Sequence, residues 1–342
     1  MATDNGIRSE GQARRRATSA DVARAAGVSR ATVSYVLNDV PHQTIPQRTR
    51  QLVREAARQL NYVPSAAART LRRGRSDLVL QAVADWPIGH NVAGIIETLS
   101  RELDKHGLTL LTRHLERRAG PLTDLWSQVS PIAVIGMEGF DQAEVAAMRA
   151  AGIQVVIALV SDDPQPQVLT MSQRLWSRPQ VEHLAATGHR RIGYALPTDP
   201  RLRIFAEPRL AGVSEGCAEL GLEQPMVQVV AEDEVAAARA VEAWRAGPDP
   251  VTAVCAYNDE VAFALLAGIR ARGLVAPRDL AVVGLDDIPQ ARFAVPALTT
   301  VAVDVPGIAK HLAESVVRGL RGESFPELPG DGFCRLVVRE SA

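Results

Sequence analysis

The sequence predicts a three-helix head with a helix-turn-helix and a hinge helix, carried on an α/β body of two parallel-sheet lobes. Three observations lead there. Residues 18–37, TSADVARAAGVSRATVSYVL, hold two short apolar-periodic helix patterns around a glycine. From Leu78 onward, gap-free apolar runs alternate with amphipathic stretches, the order of a parallel sheet covered by helices. That alternation runs for about 260 residues, more than one such unit commonly holds.

Thr18 caps the first helix, with Asp21 in the capping-box position. Val22, Ala23 and Ala26 form its apolar face, and Gly27 supplies the left-handed turn that ends it. Ser29 caps the second helix, in which Val33, Val36 and Leu37 face inward. Arg30, Ala31, Ser34 and Tyr35 then face outward, as on a helix that enters a DNA major groove. An ordinary helical hairpin carries the same pattern. Charge separates the two readings. Residues 1–76 hold 14 arginines against five acidic residues, net +9, which leaves 24 basic against 34 acidic, net -10, for the rest. A basic head on an acidic body points to nucleic acid as the head's partner.

Residues 1–17 read as a disordered basic arm, with Arg14, Arg15 and Arg16 in a row. They show no apolar leader segment, so a cytoplasmic location is expected. Cys217, Cys255 and Cys334 are odd in number and widely spaced, giving neither a disulfide framework nor metal-ligand spacing. No cofactor and no metal is expected.

Pro46 opens a third helix, QRTRQLVREAARQLNY, whose Leu52, Val53, Ala56, Ala57 and Leu60 form a stripe that closes the head's core. Its Arg48, Arg50, Arg54 and Arg58 lie where DNA phosphates would pass. Residues 63–76 form the hinge. SAAARTLRRGRS is helical by propensity but too short to be stable alone. Leu71 among arginines reads equally as a minor-groove wedge or as a linker leucine that packs on the body.

The body reads as strands LVLQAVA, LTLLT, PIAVIGM, QVVIAL, RRIGYAL, MVQVV, TAVCAY and LAVVGL, separated by helices. Gly107, Gly152, Gly188, Gly221 and Gly273 each end a helix before the next strand. Ligands of open α/β sheets bind at the carboxyl ends of strands. That rule selects Asp85 and Trp86, Ser161 and Asp162, Thr198 and Asp199, Asn258 and Asp259, and Asp286 and Asp287. Carboxylates, an amide and an indole face suit a polyhydroxylated ligand. For Asp259 a helix N-cap is the simpler role, for Asp287 a structural one, and for Trp86 a place in the core.

DVARAAGVSRATVSYVLN, then TR, then LNYVPSAAARTLRRGRS, resembles the head and hinge of the LacI/GalR family of transcription regulators, and the resemblance runs through the whole chain. It implies a sequence-specific regulator, a repressor controlled by a sugar-like effector, that binds a palindromic operator as a homodimer or a tetramer. An effector-independent regulator is the alternative. It also implies that Arg30, Ala31 and Tyr35 read bases, that Ser29, Thr32, Ser34 and Asn38 contact phosphate or fix the helix, and that Leu71 is the minor-groove leucine. Thr18, Arg48, Ala68 and Arg72 complete the DNA-contacting set.

By the same resemblance the head spans 18–62, and the body, 77–342, is similar to periplasmic sugar-binding proteins. One lobe takes about 77–171 and 302–322, the other about 172–300 and 323–342, with crossings near Met171, Val301 and Gly322. Arg209, Asn258 and Asp286 fall on effector contacts, joined in the pocket by Asp85, Trp86, Asn91 and Thr198. Arg209→Ala is expected to abolish the effector response with the fold intact. The chain departs from the family at DWPIGHN after the first strand and at MSQRLWSRP, where a pocket acidic residue is missing and Arg174 or Trp176 intrudes.

Two other classes fit less well. GVSEG (212–216) matches a nucleophile elbow around Ser214, but lies inside a helical pattern rather than on a strand-to-helix turn. A transported-solute receptor would suit the body but not the basic head.

Overall fold

The computed structural model describes residues 17–37, 44–62, 76–83, 85–115, 126, 128–160, 172–329 and 333–342. The chain divides into two compact units, Met1–Ser76 and Asp77–Ala342. Asn38, Ala68, Leu71, Arg72, Ser161, Asp162 and Met171, with nearly all of the arm and hinge, lie outside the described residues.

In the first unit, α1 (Ser19–Ala26), α2 (Arg30–Leu37) and α3 (Gln47–Gln59) surround a core of Val22, Ala23, Val33, Val36, Val53, Ala56 and Ala57. The Thr18 capping box forms in full, and Gly27 takes φ 63 at the end of α1. The predicted stripe of α3 is narrower than expected: Leu52 and Leu60 are exposed. Leu52 lies about 100° round the helix from Val53, off the buried face, and Leu60 stands beyond the last helical residue.

The described residues of the second unit form two sheets. The first, ordered β2-β1-β3-β4, is parallel throughout: β1 (Leu78–Val83), β2 (Thr109–His114), β3 (Ala133–Glu138) and β4 (Val155–Val160). The second is ordered β10-β9-β8-β7-β5-β6. It comprises β5 (Ile192–Pro197), β6 (Met226–Val230), β7 (Ala253–Ala256), β8 (Ala281–Asp286), β9 (Thr299–Val303) and β10 (Cys334–Val337). Among the described residues, its one antiparallel pair is β10 on β9. The apolar runs of β1, β3, β4, β5, β7 and β8 bury as expected of strands covered on both faces, whereas β2 and β6, at the sheet edges, are largely exposed. Each predicted glycine stop has positive φ.

Helices α4 (His90–Asp104) and α5 (Gln142–Ala150) serve the first sheet, and α6 (Gln173–Ala186), α7 (Arg203–Glu219), α8 (Glu234–Arg245) and α9 (Asp259–Ala271) the second. The last helix, α10 (Val305–Leu320), follows β9 but packs on α4 and β4, so the chain returns to the first lobe. GVSEG lies in the interior of α7. Its two glycines let α6 approach: a Cβ on Gly212 would strike the Arg174 carbonyl, and one on Gly216 would strike Val181. The motif is therefore a packing surface, and Ser214 sits on no strand-to-helix turn. Among the described residues, no helix is long and apolar enough to cross a membrane. Among the same residues, no group of three or more His, Cys, Asp or Glu could hold a metal ion.

Candidate functional site

In the head, the outward face of α2 is polar. Ser29 Oγ accepts the Thr32 N–H at 3.0 Å and lies 2.9 Å from the Thr32 hydroxyl, which fixes the start of α2. With Val33 and Val36 buried, Arg30, Ala31 and Tyr35 are exposed while Thr32 and Ser34 are half-buried. The Thr18 hydroxyl donates to Asp21 at 2.7 Å. On α3, Arg48 is exposed, Arg58 pairs with Glu55, and Arg50 donates to the Ile45 carbonyl at 3.4 Å.

A cavity of about 400 Å³ lies between the two lobes of the second unit. Met137 of β3 and Leu159 of β4 line it from one lobe, and Asp199, Asn258 and Asp286, at the ends of β5, β7 and β8, from the other. Among the described residues, Arg209 is its one arginine. That side chain is 5% exposed and donates to Gln173 Oε1 at 3.0 Å and to the Tyr257 carbonyl at 2.9 Å. It also lies 3.7 Å from Asp286 Oδ1, with its guanidinium over the Tyr257 ring at 4.8 Å. Asn258 caps α9 through the Val261 N–H at 3.0 Å and donates to Glu260 at 2.7 Å. Asn91, at the start of α4, lines the cavity beside Asp286.

Burial pushes the Asp286 carboxyl up to about 7, against the pull of Arg209 and with Asp259 and Glu260 adding to the rise. Its backbone takes φ 124, a conformation non-glycine residues rarely adopt. A raised carboxyl pKa means that the folded chain holds a proton the unfolded chain has lost, so this group's contribution to stability falls as pH rises from about 4 to 7. Asp286→Asn removes that contribution. Its melting temperature relative to the parent should therefore climb across this window and level off above it. A flat difference would contradict the buried carboxyl.

Three residues that the sequence assigned to the pocket do not line it. Trp86 is 3% exposed, its ring covered by Phe205, so Phe205 meets the cavity instead. Asp85 pairs with Arg201 at 3.6 Å. Thr198 is exposed, and its neighbour Asp199 lines the cavity instead. Asp259 is not the N-cap of α9; it is buried, accepting from the Thr300 hydroxyl at 2.6 Å and the Ile288 N–H at 2.9 Å. Burial pushes its carboxyl up to about 6. Asp287 has the expected structural role, pairing with Arg339 at 2.6 Å. Of the two intruders, Trp176 lines the cavity, whereas Arg174 pairs with Glu215. Phe205, Tyr257, Glu232 and Glu260 are lining residues that sequence reasoning missed.

Residues 18–65 match the family described as bacterial regulatory proteins, lacI family, and residues 181–342 match the periplasmic binding protein-like domain. The HTH-type transcriptional regulator CelR of Thermobifida fusca is 30% identical, with 96% of this chain and 99% of that protein covered. The Lac repressor dimer bound to operator and the anti-inducer ONPF has the same fold, with a TM-score of 0.79 at 24% identity, covering 96% of this chain and 99% of that one. The complex of the regulator CelR with cellobiose matches with a TM-score of 0.62 at 25% identity over 96% and 100% of the two chains. A capped helix-turn-helix, two parallel-sheet lobes about a cleft, and a full-length relative of this likeness agree: the chain belongs to the LacI family of HTH-type transcriptional regulators.

Proposed function

We propose that the chain represses transcription from a palindromic operator as a cytoplasmic homodimer, and that a sugar-like molecule in the inter-lobe cleft controls it. The observation that carries this reading is the cavity itself, walled by strand ends of both sheets. Its polar lining is rich in acceptors: among the described residues, Asp199, Glu232, Glu260 and Asp286 stand against one arginine, Arg209, that the chain already engages. A ligand with many hydroxyl donors and one apolar ring face, set against Phe205 or Trp176, satisfies both features. The related CelR–cellobiose complex supports a saccharide as that ligand.

On DNA, Arg30, Ala31 and Tyr35 read base edges, while Thr18, Ser29, Thr32, Ser34, Asn38 and Arg48 hold the backbone. The hinge, with Ala68, Leu71 and Arg72, enters the minor groove between half-sites, where Leu71 pries a base step. Leu71→Ala is expected to weaken operator binding while ligand affinity stays unchanged.

Dimerisation uses an apolar patch on the second lobe. Phe293 is 76% exposed and Val295 is 72% exposed, beside Phe263, Leu266 and Arg270. A second copy is its occupant, as the Lac repressor is a dimer. Phe293→Asp should convert the dimer to monomer in sedimentation, with a normal melting profile for the body. Selection from random duplexes tests the whole reading: the full chain should retain one palindrome, and retention of no consensus would refute it.

A further inference from the structure

The two lobes touch through a contact that the backbone crossings do not supply. Trp86 follows β1 in the four-stranded lobe, and Phe205 lies in the first turn of α7 in the six-stranded lobe. Their rings stack 4.1 Å apart and 4° from parallel. One residue before the indole, Asp85 reaches Arg201 of the opposite lobe at 3.6 Å. Arg201 is anchored on its own side by Asp199 at 2.6 Å, so the charge contact is braced before it crosses.

Two details give the stack a direction. Trp86 is 3% exposed, yet its indole Nε1–H is buried with no acceptor. Closing the contact therefore gains ring stacking and apolar burial but strips the N–H of water. Phe205 is half-buried, belongs to the stack and also lines the cavity. One ring thus touches both the fastening and whatever occupies the cleft.

The geometry points to a latch: Trp86 on Phe205, with Asp85 on Arg201, closes the cleft by the chain's own side chains, and the unsatisfied indole N–H keeps that closure near balance. A ligand seated against Phe205 then needs little differential affinity to move the lobes. This last step rests on the cleft being the ligand site; the latch does not.

Hydrogen exchange on the full chain, with no ligand added, tests it. Phe205→Ala should speed exchange several-fold at 85–95 in one lobe and at 173–180 and 200–210 in the other. Arg201→Ala, a change at an exposed side chain, should do the same more weakly. Trp86→Phe keeps an aromatic ring and deletes the orphaned N–H, so exchange at the same segments should slow. If Trp86→Phe exchanges as fast as the parent or faster, or if Arg201→Ala alters only its own lobe, the latch is overturned. Because no ligand enters the experiment, its result is independent of whether sugars bind.

Discussion

Arg209→Ala should lose the ligand response and destabilise the body together. The sequence alone leads to an expectation of an untouched fold; the burial of this side chain leads to the opposite expectation. Arg209 is buried, and its loss leaves the Tyr257 carbonyl and Gln173 Oε1 without their donor and Asp286 without its ion-pair partner. Breaking a buried pair by removing one partner costs about 3–5 kcal/mol. Asp286 can soften that loss by taking a proton. Its carboxyl already stands at about 7, and without the opposing pull of Arg209 it rises further. The deficit relative to the parent is therefore smallest in acid and widens as pH climbs past 7. Urea unfolding at pH 5.5 and 8.5 measures this. A pH-independent deficit, or a normal response to ligand, would remove the pair from the centre of the site.

Arg30→Ala should weaken operator binding by about tenfold to a hundredfold, the cost of one base-reading arginine. The head should keep its stability, because Arg30 is exposed at the start of α2 and the helix is held by Ser29 and by buried Val33 and Val36. Specificity at one position of each half-site should relax. Arg48→Ala offers the contrast: a phosphate contact lowers affinity on every sequence and reduces the salt dependence by about one counterion. Fluorescence anisotropy on the selected palindrome and on scrambled duplexes separates the two. If Arg30→Ala weakened both equally, Arg30 would be a phosphate ligand.

Local chemistry was the most legible part of the sequence. The Thr18–Asp21 capping box, the Gly27 turn and the Ser29 cap lie within a few residues of one another, so no distant contact is needed to form them. MVQVV and EVAAARAVEAWR begin and end where β6 and α8 do. Other elements were less clear. Helix α6 carries Pro179 in its interior, which reads as a break, and α10 leaves its chain neighbours to pack in the other lobe.

The site was half legible for a physical reason. The strand-end rule locates the rim of a sheet but says nothing of which side chain at the rim turns inward. Asp199 lines the cavity where Thr198 was also expected, and the positive φ of Asp286 is visible only in three dimensions. Phe205 and Glu260 sit in helices whose patterns contain no mark of a pocket, and Phe205 covers the indole that the sequence placed as the sugar platform.

The central claim is that occupancy of the cleft and affinity for DNA are coupled, and linkage makes that coupling reciprocal. The direct measurement is operator affinity of the full chain with and without a saccharide that raises its melting temperature. The account predicts a change of about tenfold or more, with the same factor recovered in saccharide affinity when operator is present. A saccharide that binds the cleft and leaves operator affinity unchanged would contradict it.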